Sequence, residues 1–229
     1  MEQIYTIPVN EAFDSGIKDP SLLCPFCALY RKLQESELDR ILGAAMMEPD
    51  VRIETNRRGF CLTHFRRMLR MKNRLGIALM LESHLEEVGR RLSPPALSLP
   101  GADMRSLSEL ESSCYLCDRI EEHLSRMIET AVYMYDTDPD FKEKYKAQTC
   151  FCLPHYRRIT EAAKARLGKR QYREFYSVTR GIQERYLEKL RGDVSHFCRK
   201  FDYRSQDEPW YDSKDSIERA VGFLRGRDE

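Results

Sequence analysis

Phe60-Cys61-Leu62-Thr63-His64-Phe65-Arg66-Arg67-Met68 returns 91 residues later as Phe151-Cys152-Leu153-Pro154-His155-Tyr156-Arg157-Arg158-Ile159, with six of nine positions identical. The exchanges, Phe for Tyr, Met for Ile and Thr for Pro, leave the pattern of cysteine, histidine and paired arginines intact. Each nonapeptide is preceded by a Cys-x2-Cys pair, Cys24 with Cys27 and Cys114 with Cys117, at gaps of 33 and 34 residues. Two matched sets of this kind indicate an internal duplication. They also divide six of the eight cysteines and two of the five histidines into two Cys3His sets, the composition of a closed structural zinc site.

Working outward, the residues around each pair carry helix-start signals. Pro25 follows Cys24 directly, and proline favours the first position of a helix. Residues i and i+3 share a helix face, so Cys61 with His64, and Cys152 with His155, can reach one ion. The spacing therefore predicts one site from Cys24, Cys27, Cys61 and His64 and a second from Cys114, Cys117, Cys152 and His155. Three thiolates and a neutral imidazole around Zn2+ carry net charge −1, which the positive ends of helices stabilise. Two Zn2+ ions are the expected cofactors, with an iron-sulfur cluster as the alternative, since thiolates also suit iron. Cys24-Pro25-Phe26-Cys27 has the look of a thiol redox pair as well, but no βαβ pattern surrounds it and Cys114-Tyr115-Leu116-Cys117 lacks the proline.

The rest of the chain reads as helical. Its 229 residues are 41% hydrophobic and 33% charged, with 11 Gly and 10 Pro, which suits a folded all-α protein of two related helical-hairpin halves. A short strand-capable opening spans Ile4 to Val9. Helices are expected from Pro25 to near Gly43, then, after a loop through Pro49, from about Leu62 to Leu92, with Phe65, Met68, Leu69, Leu75, Leu79, Leu85 and Val88 buried. Pro94, Pro95, Pro100 and Gly101 mark a linker, giving halves 1–93 and 106–229 about a connection at 94–105. The second half restarts at Ser106 with a capping box to Glu109 and continues as a helix past Val132. Further helices are expected from Pro139, from Leu153 to Leu167, from Lys169 to Arg199 and from Asp215 to Leu224.

Composition also narrows the function classes. No apolar run approaches the roughly 20 residues of a membrane span, and Met1 to Asn10 lacks a secretory pattern, so a cytoplasmic protein is expected. Paired cysteines in a reducing compartment point to metal rather than disulfides. Basic runs follow both Cys-x2-His pairs, making Arg66, Arg67, Arg157 and Arg158 candidate anion-binding residues. With a net charge of +1 and acidic residues in the preceding segments, pairing within the chain is favoured over nucleic-acid binding, and an unknown protein is the expected partner. Cys150, Cys198, His84, His123 and His196 fall outside the repeat; Cys150 and Cys198 read as small buried residues, with Cys150 as an alternative ligand to Cys152, His84 and His123 read as exposed or core-edge residues, and Cys198 beside His196 lacks an acidic third member for a nucleophilic triad. Around the only tryptophan, 207–212 reads as a turn that pins a last helix to the core.

Tyr5-Thr6-Ile7-Pro8-Val9-Asn10-Glu11-Ala12-Phe13, Cys24-Pro25-x-Cys27, Gly59-Phe60-Cys61-x2-His64 and Phe201-Asp202-Tyr203-Arg204 resemble, over nearly the whole chain, a bacterial family of uncharacterised proteins known only as a domain of unknown function. The resemblance implies relatives but no activity. Because both expected sites have four protein ligands and no vacant position, binding or scaffolding is expected rather than catalysis.

Overall fold

The computed structural model describes residues 3–93, 101–205 and 207–226, and among them there are eleven α-helices and no strand. The helices are α1 (Thr6–Lys18), α2 (Pro25–Leu42), α3 (Pro49–Arg58), α4 (Leu62–Arg70), α5 (Arg74–Leu92), α6 (Ala102–Ser112), α7 (Tyr115–Thr137), α8 (Pro139–Lys146), α9 (Leu153–Arg166), α10 (Lys169–Arg199) and α11 (Ser216–Arg225). The Pro94–Pro100 part of the expected linker lies outside the described residues.

The chain forms two compact units that do not follow the halves of the sequence. One comprises Met1–Arg31 with Leu124–Glu229, the other Lys32–His123. The boundaries fall inside α2 and α7 rather than at 94–105, because the segments that pack together come from both copies of the repeat.

In the first unit the core is aromatic. Phe13 of α1 meets Phe26 of α2 edge-on at 5.6 Å and Phe141 of α8 at 4.8 Å, and Tyr145 stacks on it at 5.8 Å. Phe151, Tyr135 and Phe175 extend the cluster around Tyr145 at 5.0 to 5.2 Å. The Tyr145 hydroxyl is fully buried and shares a 2.9 Å hydrogen bond with Thr179, so the ring's polar end is satisfied inside the core. Asp138 caps α8 by accepting from the backbone N–H groups of Asp140 and Phe141, with Pro139 at the first helical position.

The opening is helical, correcting the strand expected over Ile4 to Val9. Val9, Ala12, Phe13 and Gly16 form a buried i, i+3, i+4, i+7 stripe, and Pro8 sits in the first turn, where no helical hydrogen bond needs its missing N–H. In the second unit, α3 begins at Pro49, after the expected loop, and packs on α5. The helix expected over 62–92 is interrupted at 71–73. Asn73 donates to the Leu42 carbonyl and accepts from the Gly76 N–H, restarting the chain as α5. That break resets the helical phase, so Gly76, Ile77 and Met80 are buried, whereas Leu75 and Leu85 of the expected stripe are exposed; Leu69, ahead of the break on α4, is exposed as well. Likewise α6 begins at Ala102, ahead of Ser106, and the helix expected to run on through Val132 breaks at Ser113, whose hydroxyl donates to the Arg58 carbonyl at 2.6 Å.

Candidate metal centres

All four ligand pairs share one local design. The first ligand is the residue just before a helix and the second is three residues on, at its first turn: Cys24 and Cys27 on α2, Cys61 and His64 on α4, Cys114 and Cys117 on α7, Cys152 and His155 on α9. The backbone at Cys61 (φ −69°, ψ 161°) and at Cys152 (φ −61°, ψ 153°) is nearly the same, so the duplication is structural as well as sequential.

The pairs combine across the copies, not within them. Cys24 and Cys27 meet Cys152 and His155, while Cys61 and His64 meet Cys114 and Cys117. In each group the ligand atoms all lie within 4.8 Å of one another. All eight expected metal ligands are thus brought into fours, but the two fours expected from the spacing are replaced by their crossed combination. The reason is the packing: Phe13 and Phe26 join the aromatic core around Phe151, which sets the start of α2 beside the start of α9.

The geometry suits a tetrahedral ion. With Zn–S about 2.3 Å and Zn–N about 2.0 Å, a tetrahedron places sulfurs about 3.8 Å apart and sulfur about 3.5 Å from nitrogen. In the first group Cys27 Sγ lies 3.6 Å from Cys152 Sγ, and His155 Nδ1 lies 3.6, 3.6 and 3.0 Å from the sulfurs of Cys24, Cys27 and Cys152. In the second, Cys61 and Cys117 sulfurs are 3.8 Å apart, and His64 Nδ1 is 3.2, 3.3 and 3.5 Å from those of Cys61, Cys114 and Cys117. These distances far exceed the roughly 2.05 Å of a disulfide. All eight cysteines are free thiols.

Electrostatics agree with the distances. Hydrogen bonds from Cys152 and Cys24 hold the Cys27 thiol far below its ordinary range, while burial pushes Cys24 well above it. Cys152 is pushed up to about 12, the lowering effect of its hydrogen bond with Cys24 being outweighed by Cys27 and by burial. In the second group burial raises Cys114 and Cys117. Cys61 is lowered, since N–H donation from His64 and the neighbouring thiols overcome its burial. Three thiolates in so small a space need a cation beside them, and two helix N-termini at each group add partial positive charge. Burial, helped by Arg67, lowers the pKa of His64 and keeps its ring neutral, as a metal ligand must be.

Two features were not anticipated. Gln34 of α2 places its amide nitrogen 3.1 Å from His64 Nε2, the ring nitrogen turned away from the thiols. Gly226, with φ +86°, lies against the first group, where a β-carbon would make ordinary contacts of 3.5 Å with Cys27 Sγ and 3.6 Å with Cys152 Sγ. Neither residue type signals such a role by spacing alone.

At least two of the four candidate anion-binding arginines have partners within the chain. Arg157 pairs with Glu161 at 2.8 Å, and Arg158 donates to Ser125 at 3.0 Å. Arg67 lines a cleft with Glu35, Asp39 and Arg70, and Arg66 is exposed on α4. Two of the basic segments' other arginines also pair internally, Arg58 with Glu54 and Asp118, and Arg166 with Glu129. Of the residues outside the repeat, Cys150 is fully buried and donates to the Leu23 carbonyl, and His84 Nδ1 lies 3.2 Å from the Asn56 carbonyl. His123 faces Glu37 at 4.0 Å. His196 donates from Nε2 to the Pro209 carbonyl at 2.9 Å, and Lys200 sits over the Trp210 ring, so this corner secures the 207–212 turn.

Among the described residues no helix is long and apolar enough to cross a membrane. No curated protein and no solved structure matches the chain. A family model does match, over residues 1–229, and by it the chain belongs to the family of unknown function DUF6062.

Proposed function

We propose that this is a zinc protein in which two structural ions hold a helical scaffold together, and that the scaffold binds another protein instead of catalysing a reaction. The observation that carries the reading is the match between eight of the twelve ligand-atom separations, 3.0 to 3.8 Å with all twelve within 4.8 Å, and the edges of a zinc tetrahedron. Four protein ligands at each ion leave no position for a substrate. Binding of the metal contributes directly to folding, because the ligands come from distant parts of the chain. Eight free thiols fit a reducing, cytoplasmic setting.

A protein partner is favoured over nucleic acid by the internal pairing of the arginines and by apolar residues exposed on α10 and α11, namely Leu187, Ile217, Val221 and Leu224. Elemental analysis of protein purified without chelator tests the metal assignment, with close to two zinc ions per chain expected. Metal-free, fully folded protein overturns it. Brown protein with visible absorbance after anaerobic preparation establishes the iron-sulfur alternative in its place.

A further inference from the structure

The two ligand groups differ in their access to solvent. In the first, Cys24, Cys27, Cys152 and His155 are all buried, at 1, 3, 1 and 8% exposure, and Gly226 covers two of the sulfurs. In the second only His64 and Cys114 are buried; Cys61 is half-buried and Cys117 exposed. Cys114 is further shielded, since its sulfur accepts the Cys117 backbone N–H at 3.5 Å. The two less buried cysteines of this group are the ones whose sulfurs lie 3.8 Å apart.

We propose that the second group is a peroxide-sensitive metal-thiolate site, in which Cys61 and Cys117 are oxidised to a disulfide and the ion they hold is released, while the first group stays intact. This deepens the zinc reading and rests on it. One open thiolate attacks a peroxide oxygen: a sulfur–oxygen bond forms, the oxygen–oxygen bond breaks, and hydroxide leaves to take up a proton as water. The other thiolate then attacks that sulfur, forming the sulfur–sulfur bond and expelling a second hydroxide, which is likewise protonated. The two sulfurs lose two electrons, and hydrogen peroxide becomes two waters. Closing from 3.8 Å to about 2.05 Å is a short side-chain movement. A disulfide is a poor ligand, so two of four bonds to the ion are lost.

Cys198 is the other exposed cysteine and lies outside both groups. Replacing it by serine removes unrelated thiol chemistry and leaves both groups whole. The test treats full-length, two-zinc Cys198→Ser protein with graded hydrogen peroxide, following released zinc with a chromogenic chelator and mapping linked peptides by mass spectrometry. One ion per chain is expected to leave at least ten times faster than the other, together with a Cys61–Cys117 link, and thiol reductant plus zinc should restore it. Loss of both ions at one rate, loss from the first group before the second, or release without that link overturns the proposal. Protein that holds no zinc before treatment overturns the metal reading itself, which separates the two failures.

Discussion

Cys24 Sγ lies 3.6 Å from His155 Nδ1, although 131 positions of sequence separate the two residues. An ion held between them closes a very long loop, and by analogy with a disulfide such a cross-link restricts the unfolded chain by about 5 kcal/mol. Crossed sites also give paired substitutions an unusual signature. Cys27→Ser should lower zinc content from two ions to one, and adding Cys152→Ser should leave it at one, since both belong to the same group. Cys27→Ser with Cys61→Ser should abolish binding. Sites assembled within each copy require the reverse, with the first pair binding none and the second binding one.

Gly226 and Gly89 should respond oppositely to alanine. Gly226 has φ +86° and lies beside Cys27 and Cys152, so a side chain there strains the backbone next to the first group although the space itself would admit a β-carbon. Gly226→Ala should cost roughly 1–3 kcal/mol and speed zinc exchange at the first group. Gly89 lies in α5 with nothing within 4 Å of a built β-carbon. Gly89→Ala should stabilise by up to ~1 kcal/mol, because alanine is the better helix former. Thermal unfolding of the two variants checks the contrast; equal shifts of the same sign would refute it.

Local signals in the sequence carried most of the helices and all eight residues of the two Cys3His groups. Cys24-Pro25 and Asp138-Pro139 start helices as their chemistry requires, and the expected Lys169-to-Arg199 helix is α10. What local signals cannot hold is the choice of partner. Cys27 is equally compatible with either Cys-x2-His pair until the aromatic packing of Phe13, Phe26 and Phe151 decides between them. The same limit explains the opening helix, where Ile4 to Val9 alone is strand-capable but the buried stripe begins at Val9 and extends through Phe13 to Gly16, leaving Ile4 and Ile7 exposed. It also explains Asn73, whose cap becomes legible only beside the Leu42 carbonyl it meets.

Acid should weaken the second unit. Burial depresses the pKa of both His64 and His84, so on unfolding each ring gains a proton that it lacks when folded. Above the ordinary histidine value of about 6.5 neither state is protonated and there is no penalty; below it the unfolded chain binds more protons, and stability falls as pH drops toward the depressed folded values. Proton competition for the ligand atoms acts in the same direction on the metal-loaded form. Hydrogen exchange should show amides of Lys32–His123 losing protection between about pH 7 and pH 5. Protection in that unit that is flat across the range would exclude the effect.

Gln34 should tune the second site without being a ligand. Its amide nitrogen is 3.1 Å from His64 Nε2, its carbonyl oxygen is buried without a hydrogen-bond partner among the described residues, and turning the amide over brings that oxygen to the ring. When Nδ1 gives its lone pair to a metal, the ring proton resides on Nε2 and needs an acceptor, which the amide carbonyl provides when turned toward it. Gln34→Leu removes that acceptor and leaves the buried N–H unpaired. Zinc affinity at this site should fall about 10- to 100-fold, with two ions still bound at saturating zinc. Gln34→Glu keeps an acceptor and should retain more of the affinity than the leucine variant does. Competition titrations against a chelator of known affinity measure all three, and equal affinities for wild type and the leucine variant would show that His64 is oriented by packing alone.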